Sequence, residues 1–459
     1  MRTFFLAVFF LFLHANANSA QNSDSFTVVA YNVQNLFDTD GVALYNDYQA
    51  DLYGPEELAG KLKVICEVLK EIGGRTGPEV VLLQEIEVDR TPGSHLSATE
   101  CLLKKLSEEE IGPYKYELGY DPNGPPHSWP AVQCLTLSKF PIVQSRLHPI
   151  EKARPILETT LKVNGSLFTI FNNHWKSGAS SAKMEKFRLQ NAQTLRSRIK
   201  ELTKSQPDRD FLVGGDLNSH YNQSVVYNQM MPVTGINHVL HSTGQEKALS
   251  APTHKLYNLW HELPPNERAS DAWRGYWGTL MHFLIPHTLL DRKGVSYLQD
   301  SFEVARFPGL NSVRGTGLPR VWSNDLNGFG ASDHFPLVAK FTTSSVQKTP
   351  SETYRQVEEK QRKVLFDAAK KMAPAWKPSS LNPSFYGQIF RFTGTIAKDK
   401  PTTLLSQGHQ LGLYSFDQKT KQMIFSLGKG KKLSGYGRLS RYRGQWQFIV
   451  ENEDWLQGI

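Results

Sequence analysis

Glu79-Val80-Val81-Leu82-Leu83-Gln84-Glu85 is a near-continuous apolar run that closes on polar residues. Its branched side chains and short length predict a buried strand. Just before it, Pro55 to Ile72 places Leu58, Leu62, Ile65 and Leu69 at helical spacing, with Pro at the start and Gly73-Gly74 after the end, so an amphipathic helix is expected there. Outward from this pair the alternation continues. Phe26 to Tyr31, Ala131 to Leu137, Glu158 to Val163, Leu167 to Phe171, Asp210 to Gly214 and Pro336 to Phe341 read as strands, and Lys183 to Leu202 reads as a long helix. Gly165 supplies a turn between two of the strands. Many strands, some joined by turns, with only two strong helices predict a mixed α/β (α+β) sandwich more than a doubly wound sheet.

Polar residues gather at the strand ends. Asn32 follows the first strand and Glu85 the second. Asn172 and His174 follow Thr169-Ile170-Phe171, Asp216 and Asn218 follow Phe211-Leu212-Val213, and Asp333 and His334 precede the last strand. One such residue is ordinarily a turn or a cap. Five clusters on strand ends form a constellation that a rigid sheet can hold. Their chemistry is also one set. Glu85 and Asp333 are hard oxygen ligands for Mg²⁺ or Mn²⁺, with Ca²⁺ as an alternative, and Asn32 adds a neutral oxygen or orients a ligand. His174 and His334 can exchange protons near neutral pH. Asn172, Asn218 and Lys176 can hold phosphate oxygens. Metal, activated water and charge neutralisation are what hydrolytic phosphoryl transfer requires.

The 459 residues carry 52 Lys+Arg against 44 Asp+Glu, a net charge of +8. The hydrophobic fraction of 39% and the ordinary Gly and Pro counts exclude disordered and collagen-like classes. The charge is uneven: residues 351–459 hold 18 Lys+Arg and 9 Asp+Glu, whereas the rest is close to neutral. Basic character therefore belongs to a separate C-terminal module. Tyr386 to Trp455 reads as short strands separated by glycines, the pattern of a small barrel. A polar, Pro-containing connector with a helix over Glu352 to Met372 precedes it. At the other end, Met1-Arg2-Thr3, an apolar run from Phe4 to Leu13 and Ala15-Asn16-Ala17 describe a secretory signal peptide. Ten apolar residues cover only about 15 Å of helix, half a bilayer core. Export to the periplasm or beyond, without stable membrane insertion, is expected. Cys66, Cys101 and Cys134 read as structural thiols with room for one bridge.

Five stretches taken in order carry a family resemblance. Tyr-Asn-Val-Gln-Asn-Leu-Phe-Asp (31–38), Leu-Gln-Glu (83–85), Asn-Asn-His-Trp-Lys-Ser (172–177), Gly-Asp-Leu-Asn-Ser (215–219) and Ser-Asp-His-Phe-Pro (332–336) resemble the ordered motifs of the metal-dependent endonuclease/exonuclease/phosphatase superfamily, in particular its secreted bacterial nuclease-like branch. The resemblance implies a four-layered α/β sandwich with two mixed β-sheets over residues 25–342. It makes Glu85 the principal metal ligand, with Asn32 and Asp333 near it. His334 is then the general base, Asp216 and Asn218 position water and phosphate, and His174 with Asn172 donates to a phosphate or leaving oxygen. Lys176 is a phosphate contact. Two positions depart from the family: Gln34 stands where an acid is common, and Met281 where an Asp orients the final His. Met cannot do that by hydrogen bonding, so Asp271, Asp291 or another group is needed. His282 beside it reads as structural.

Residues 384–459 resemble an OB-like barrel after a 343–383 linker, and residues 1–20 are the signal peptide. The tail interleaves Arg438, Arg441, Tyr442, Arg443 and Trp446, which suits stacking and phosphate contact with nucleic acid. The leading expectation is an exported monomeric nuclease, acting on DNA before RNA. The alternatives are a phosphatase or phospholipase acting on a phosphorylated lipid or small phosphoester, and a nucleic-acid-binding or envelope protein with a weakened site.

Overall fold

The computed structural model describes residues 25–245, 255–323, 330, 332–344 and 360–458. The expected signal peptide lies outside the described residues. Two seven-stranded sheets face each other. The first contains β1 (Ser25–Leu36), β2 (Val80–Glu87), β3 (Lys115–Leu118) and β4 (Val132–Ser138). From the inside outward it runs β1, β2, β4, β3, and Leu337–Thr342 pairs antiparallel on the other side of β1. The second contains β5 (Ile142–Ile150), β6 (Ala153–Val163), β7 (Ser166–His174) and β8 (Asp210–Asp216) in that order, followed by Met281–Ile285 and Leu256–Asn258. β1 and β2 are parallel, and so are β7 and β8.

Three apolar layers follow from the strand periodicity. Val28, Ala30, Val80 and Leu82 point inward against Ile170, Leu212 and Phe283 of the other sheet. The alternate positions Val29, Tyr31, Val81 and Leu83 point outward, where α1 (Pro55–Gly73) and α2 (Ala98–Glu108) cover them with Leu62, Ile65, Leu69 and Leu102. Phe171, Phe211 and Val213 lie under Leu195 and Ile199 of α3 (Ala182–Ser205). Helices on both outer faces make the four layers, and each fully buried aliphatic contributes about 1.5–3 kcal/mol.

Strands Ile389–Asp399, Thr402–Ser406, His409–Tyr414, Gln445–Ile449 and Lys432–Tyr442 pair in that order, and the last closes on the first through Ile389↔Arg438 to Thr395↔Lys432. This is a closed five-stranded barrel, as the glycine-spaced strands suggest. The connector differs from its expected form. Within the span 352–372 expected as a helix, only Asp367–Lys371 is helical among the described residues, and Lys363 instead bridges Tyr276 in extended conformation. Residues 352–359 of that expected helix lie outside the described ones.

The barrel packs against the sandwich. Its apolar filling includes Val313 and Leu318, with Ala272 and Trp277 packed on it. Residues 362–364 pair with the hairpin Asp271–Trp273/Tyr276–Gly278 through Trp277 N–H to Arg362 O at 2.8 Å and Val364 N–H to Gly275 O at 2.7 Å. All three cysteines are free thiols. No helix among the described residues is long and apolar enough to cross a membrane.

Candidate active site

Both parallel strand pairs end at the same rim of the sandwich, and local backbone irregularities aim the side chains there. The register of β2 slips between Gln84 and Ile86 against both neighbours. Glu85 sits in that bulge at φ 68° and is turned out of the ladder. The register of β1 slips after Asn32, where Gln34 and Asn35 adopt φ 51° and 60°. Asn218 lies at φ 47° just beyond β8. Left-handed conformations cost non-glycine residues energy and gather where a site fixes them. Gly215 has the complementary role: a Cβ there would lie 2.2 Å from Asn173 O, so only glycine lets β8 approach β7 this closely. That approach sets His174 and Asp216 side by side as registered partners.

The result is a compact cluster. Asn32 Nδ2 donates to Glu85 Oε1 and to Asp216 Oδ2, each at 3.0 Å. His174 Nε2 lies 3.6 Å from Glu85 Oε1 and 3.8 Å from Asp216 Oδ2. Glu85, His174 and Asp216 each offer one ligand atom, all within 4.8 Å of one another. Burial raises both carboxyls, and Asp333 adds to the effect at Glu85. Burial, then Arg154 and His334, pushes His174 well below its ordinary range, so it is a neutral imidazole. Two carboxylates, Asp216 buried and Glu85 partly exposed, and a neutral imidazole pointing at one volume are a donor set that fits a divalent cation.

His334 stands opposite, with Nε2 3.9 Å from Asp216 Oδ2 and 3.8 Å from Asp333 Oδ1. Burial disfavours its charge, but Asp333, Asp216, Asp271 and Glu85 outweigh this and raise it to about 9. Asp271 and His334 are cross-strand bridge partners. Met281 is buried at the position paired with Asp216. Asp291 is remote, accepting from Lys293 N–H in an exposed turn. His282 is structural: its ring pairs with Ser219 O at 2.7 Å and with Asn258 Nδ2 at 3.2 Å.

Several expected roles change. Asn32 turns its nitrogen to the carboxylates and its oxygen to Gln34 N–H at 2.9 Å, the orienting one of the two roles expected for it. Asn172 points between the sheets. Gln84, Leu135 O, Leu83 O and Thr136 occupy its amide, so it is no phosphate contact. Asn218 sits at the rim, bonded through its backbone N–H to Asp216 Oδ1 at 2.8 Å and through Nδ2 to Trp175 O at 3.2 Å. The Asp333 side chain is half exposed at the cluster's edge. Arg438 is turned away from solvent and pairs with Glu451 at 2.8 Å. It lines a cavity of about 70 Å³ together with Asp333, so it braces the barrel against the rim. Arg441 lies over Trp446 and Arg443 over Tyr442, at the open end of the barrel's last hairpin.

Two cations were not anticipated. Arg154 donates to Trp175 O at 3.1 Å and acts electrostatically on Glu85, Asp216 and His174. Lys61 is fully buried, donates to Gln34 O and lies 5.0 Å from the Trp322 ring. Burial lowers it to about 7, although Glu85 and Asp333 oppose this. Neither carries a local sequence signal, because Lys61 reaches the site from helix α1 and Arg154 from the other sheet.

A carboxylate–imidazole cluster at the shared rim of two sheets is thus the centre of this fold. Residues 133–343 match the model of the Endonuclease/Exonuclease/phosphatase family. Among solved structures, the chain is similar to TDP2 from D. rerio complexed with a single strand DNA product (14% identity, 69% of this chain and 98% of that chain, TM-score 0.42). It is also similar to the human Nocturnin catalytic domain with bound sulfate (16%, 70% and 94%, TM-score 0.39) and to beta toxin from Staphylococcus aureus (18%, 68% and 99%, TM-score 0.40). No curated protein matches the chain.

Proposed function

We propose that the chain is an exported, divalent-metal-dependent phosphodiesterase that hydrolyses nucleic acid, DNA before RNA, as a monomer. The observation that carries this is the convergence of Glu85, His174 and Asp216 within 4.8 Å, facing His334. Those three, with Asp333 at the edge, would hold a divalent cation, which would supply positive charge to a phosphate oxygen and to the attacking water. The two carboxylates suit Mg²⁺, Mn²⁺ or Ca²⁺ alike, and an imidazole ligand beside them favours Mn²⁺, the softest of the three.

The chain's own residues do the rest. Asn32 holds the two carboxylates in position. His334 accepts the water's proton at Nε2 once the surrounding carboxylate charge is balanced. Asn218 and Arg154 face the scissile phosphate from the β8 and β6 sides, and Arg154 neutralises charge that builds on it. The barrel is OB-like in its closed five-strand order and holds the rim in place.

The test is hydrolysis of DNA, RNA and a phospholipid by the metal-stripped chain given Mn²⁺, Mg²⁺ or EDTA, beside His334→Ala. Metal-dependent cutting of nucleic acid that His334→Ala abolishes supports the reading. Cutting of the phospholipid alone would replace it with the lipid alternative.

A further inference from the structure

We propose that the groove between the outer strands of the two sheets is the track on which an unpaired nucleic-acid strand lies as it enters the centre. This rests on the nucleic-acid reading above and names the form of that substrate. The groove holds about 1290 Å³, more than the roughly 300–1,000 Å³ of a small-molecule pocket. One wall is β3 and the loop after it, residues 119–131; the other is the β5–β6 turn. These are the last strands of their sheets, so the groove is open to a long ligand.

The cluster residues do not line it, but its inner end lies beside them. Arg154 and Lys176 line it there, and Arg154 is the cation that acts on Glu85 and Asp216. Arg146 continues the charge outward along β5, exposed and with no carboxylate partner among the described residues. The opposite wall is aromatic. Tyr116 is 43% exposed on the edge strand. Trp129 packs edge-to-face on Tyr120 with centroids 5.4 Å apart, and its indole N–H is already satisfied by Asp121 O at 2.9 Å. Four prolines among residues 122–130 stiffen the loop that presents it.

Cations on one wall and rings on the other match a backbone on one side and bases on the other. The rings can stack only on bases that are not already stacked in a duplex, so the groove selects an unpaired strand. Glu117 and Asp121 also line it, but the cations outnumber them.

The test uses the full chain in EDTA, so that nothing is cut. Fluorescence anisotropy follows a labelled 12-nucleotide oligo-dT and a duplex of equal length. The single strand should bind at least 10-fold more tightly. Trp129→Ala should weaken it about 10-fold or more, the scale of one lost base stack. Arg146→Ala, at an exposed position, should weaken it and reduce the salt slope by about 0.7. Met372→Ala, at an 85% exposed position away from the groove, should change nothing. Equal binding of the duplex, or unchanged binding by both groove variants, overturns the proposal, as does binding of phosphatidylcholine vesicles in place of the oligonucleotide. A small phosphodiester, bis(p-nitrophenyl) phosphate, separates the two readings. If Mn²⁺-dependent hydrolysis of it persists while the groove variants bind oligo-dT normally, only the groove fails. If the groove binds as described and nothing is hydrolysed, only the hydrolase reading fails.

Discussion

Asp271 and His334 face each other as antiparallel bridge partners, and the next residue, Phe335, donates its N–H to Ser270 O at 2.6 Å. The Asp271 carboxylate is buried and accepts from Ser270 Oγ and Leu280 N–H at 2.9 and 3.1 Å. It brings a negative charge to His334 from a hairpin, while the neighbouring strand holds Met281. Asp271 is therefore a positioning residue. Asp271→Asn should lower kcat about 10- to 100-fold with KM little changed and shift the acid limb of the kcat–pH profile to lower pH, because one of the charges that stabilise the imidazolium is lost. Equal loss in kcat and in folding stability, with an unmoved pH profile, would indicate a structural role only.

Gly278 tests the same contact from the other strand of the hairpin. A Cβ there would come within 2.0 Å of Asp271 Oδ2. Gly278→Ala should push the carboxylate aside and reproduce the Asp271→Asn kinetics. Steady-state assays of the two variants and their double mutant check this, and non-additive losses are expected.

At the cluster itself, Glu85→Gln keeps the shape and removes a charge. Mn²⁺ affinity, measured by calorimetry, should fall at least 10-fold, and kcat/KM about 10²- to 10³-fold. Asn32→Ala should cost less, about 10-fold, because it removes two hydrogen bonds to the carboxylates and no charge.

Removing residues 345–459 should damage the enzyme and not merely untether it. Val313, Leu318, Ala272 and Trp277 would lose their cover, and the hairpin that carries Asp271 would lose its pairing with residues 362–364. The truncated chain should melt at lower temperature and show a lower kcat on a small diester. Full kcat with only a raised KM for DNA would mean that the barrel serves only to hold nucleic acid.

Glu158 sets part of the acid stability. Burial would raise its pKa, but Arg198 at 2.7 and 2.8 Å and His148 at 2.7 Å hold it down to about 2. A depressed carboxyl contributes stability that is complete above its unfolded value near 4.5 and is lost as pH falls towards 2. At 1.4 kcal/mol per pKa step this is about 3 kcal/mol. Thermal melts of Glu158→Gln should therefore be less stable at pH 7 and flatter than wild type between pH 5 and 2.

The sheets were legible because buried strands announce themselves as apolar runs, and the chemistry was legible because it sits where those runs end. Glu85 illustrates the limit: its position reads from Val80 to Gln84, but the bulge that turns it to face His174 does not. Strand β5 has no apolar run, since Gln144, Ser145 and Arg146 face solvent at a sheet edge. Arg438 looked like a free cation because its partner, Glu451, lies across a strand pair, and the barrel's docking joins Trp277 to residues far along the chain. Contacts of that range leave no local periodicity to read.

The most direct measurement follows a labelled single-stranded oligonucleotide mixed with metal-stripped full-length chain, before and after Mn²⁺. The expected result is no cleavage before the cation, cleavage after it, and a rate at least 10²-fold lower for Glu85→Gln and His334→Ala. Cleavage that ignores EDTA, equal cleavage by either variant, or none with any divalent cation would contradict the assignment of this cluster as the catalytic centre.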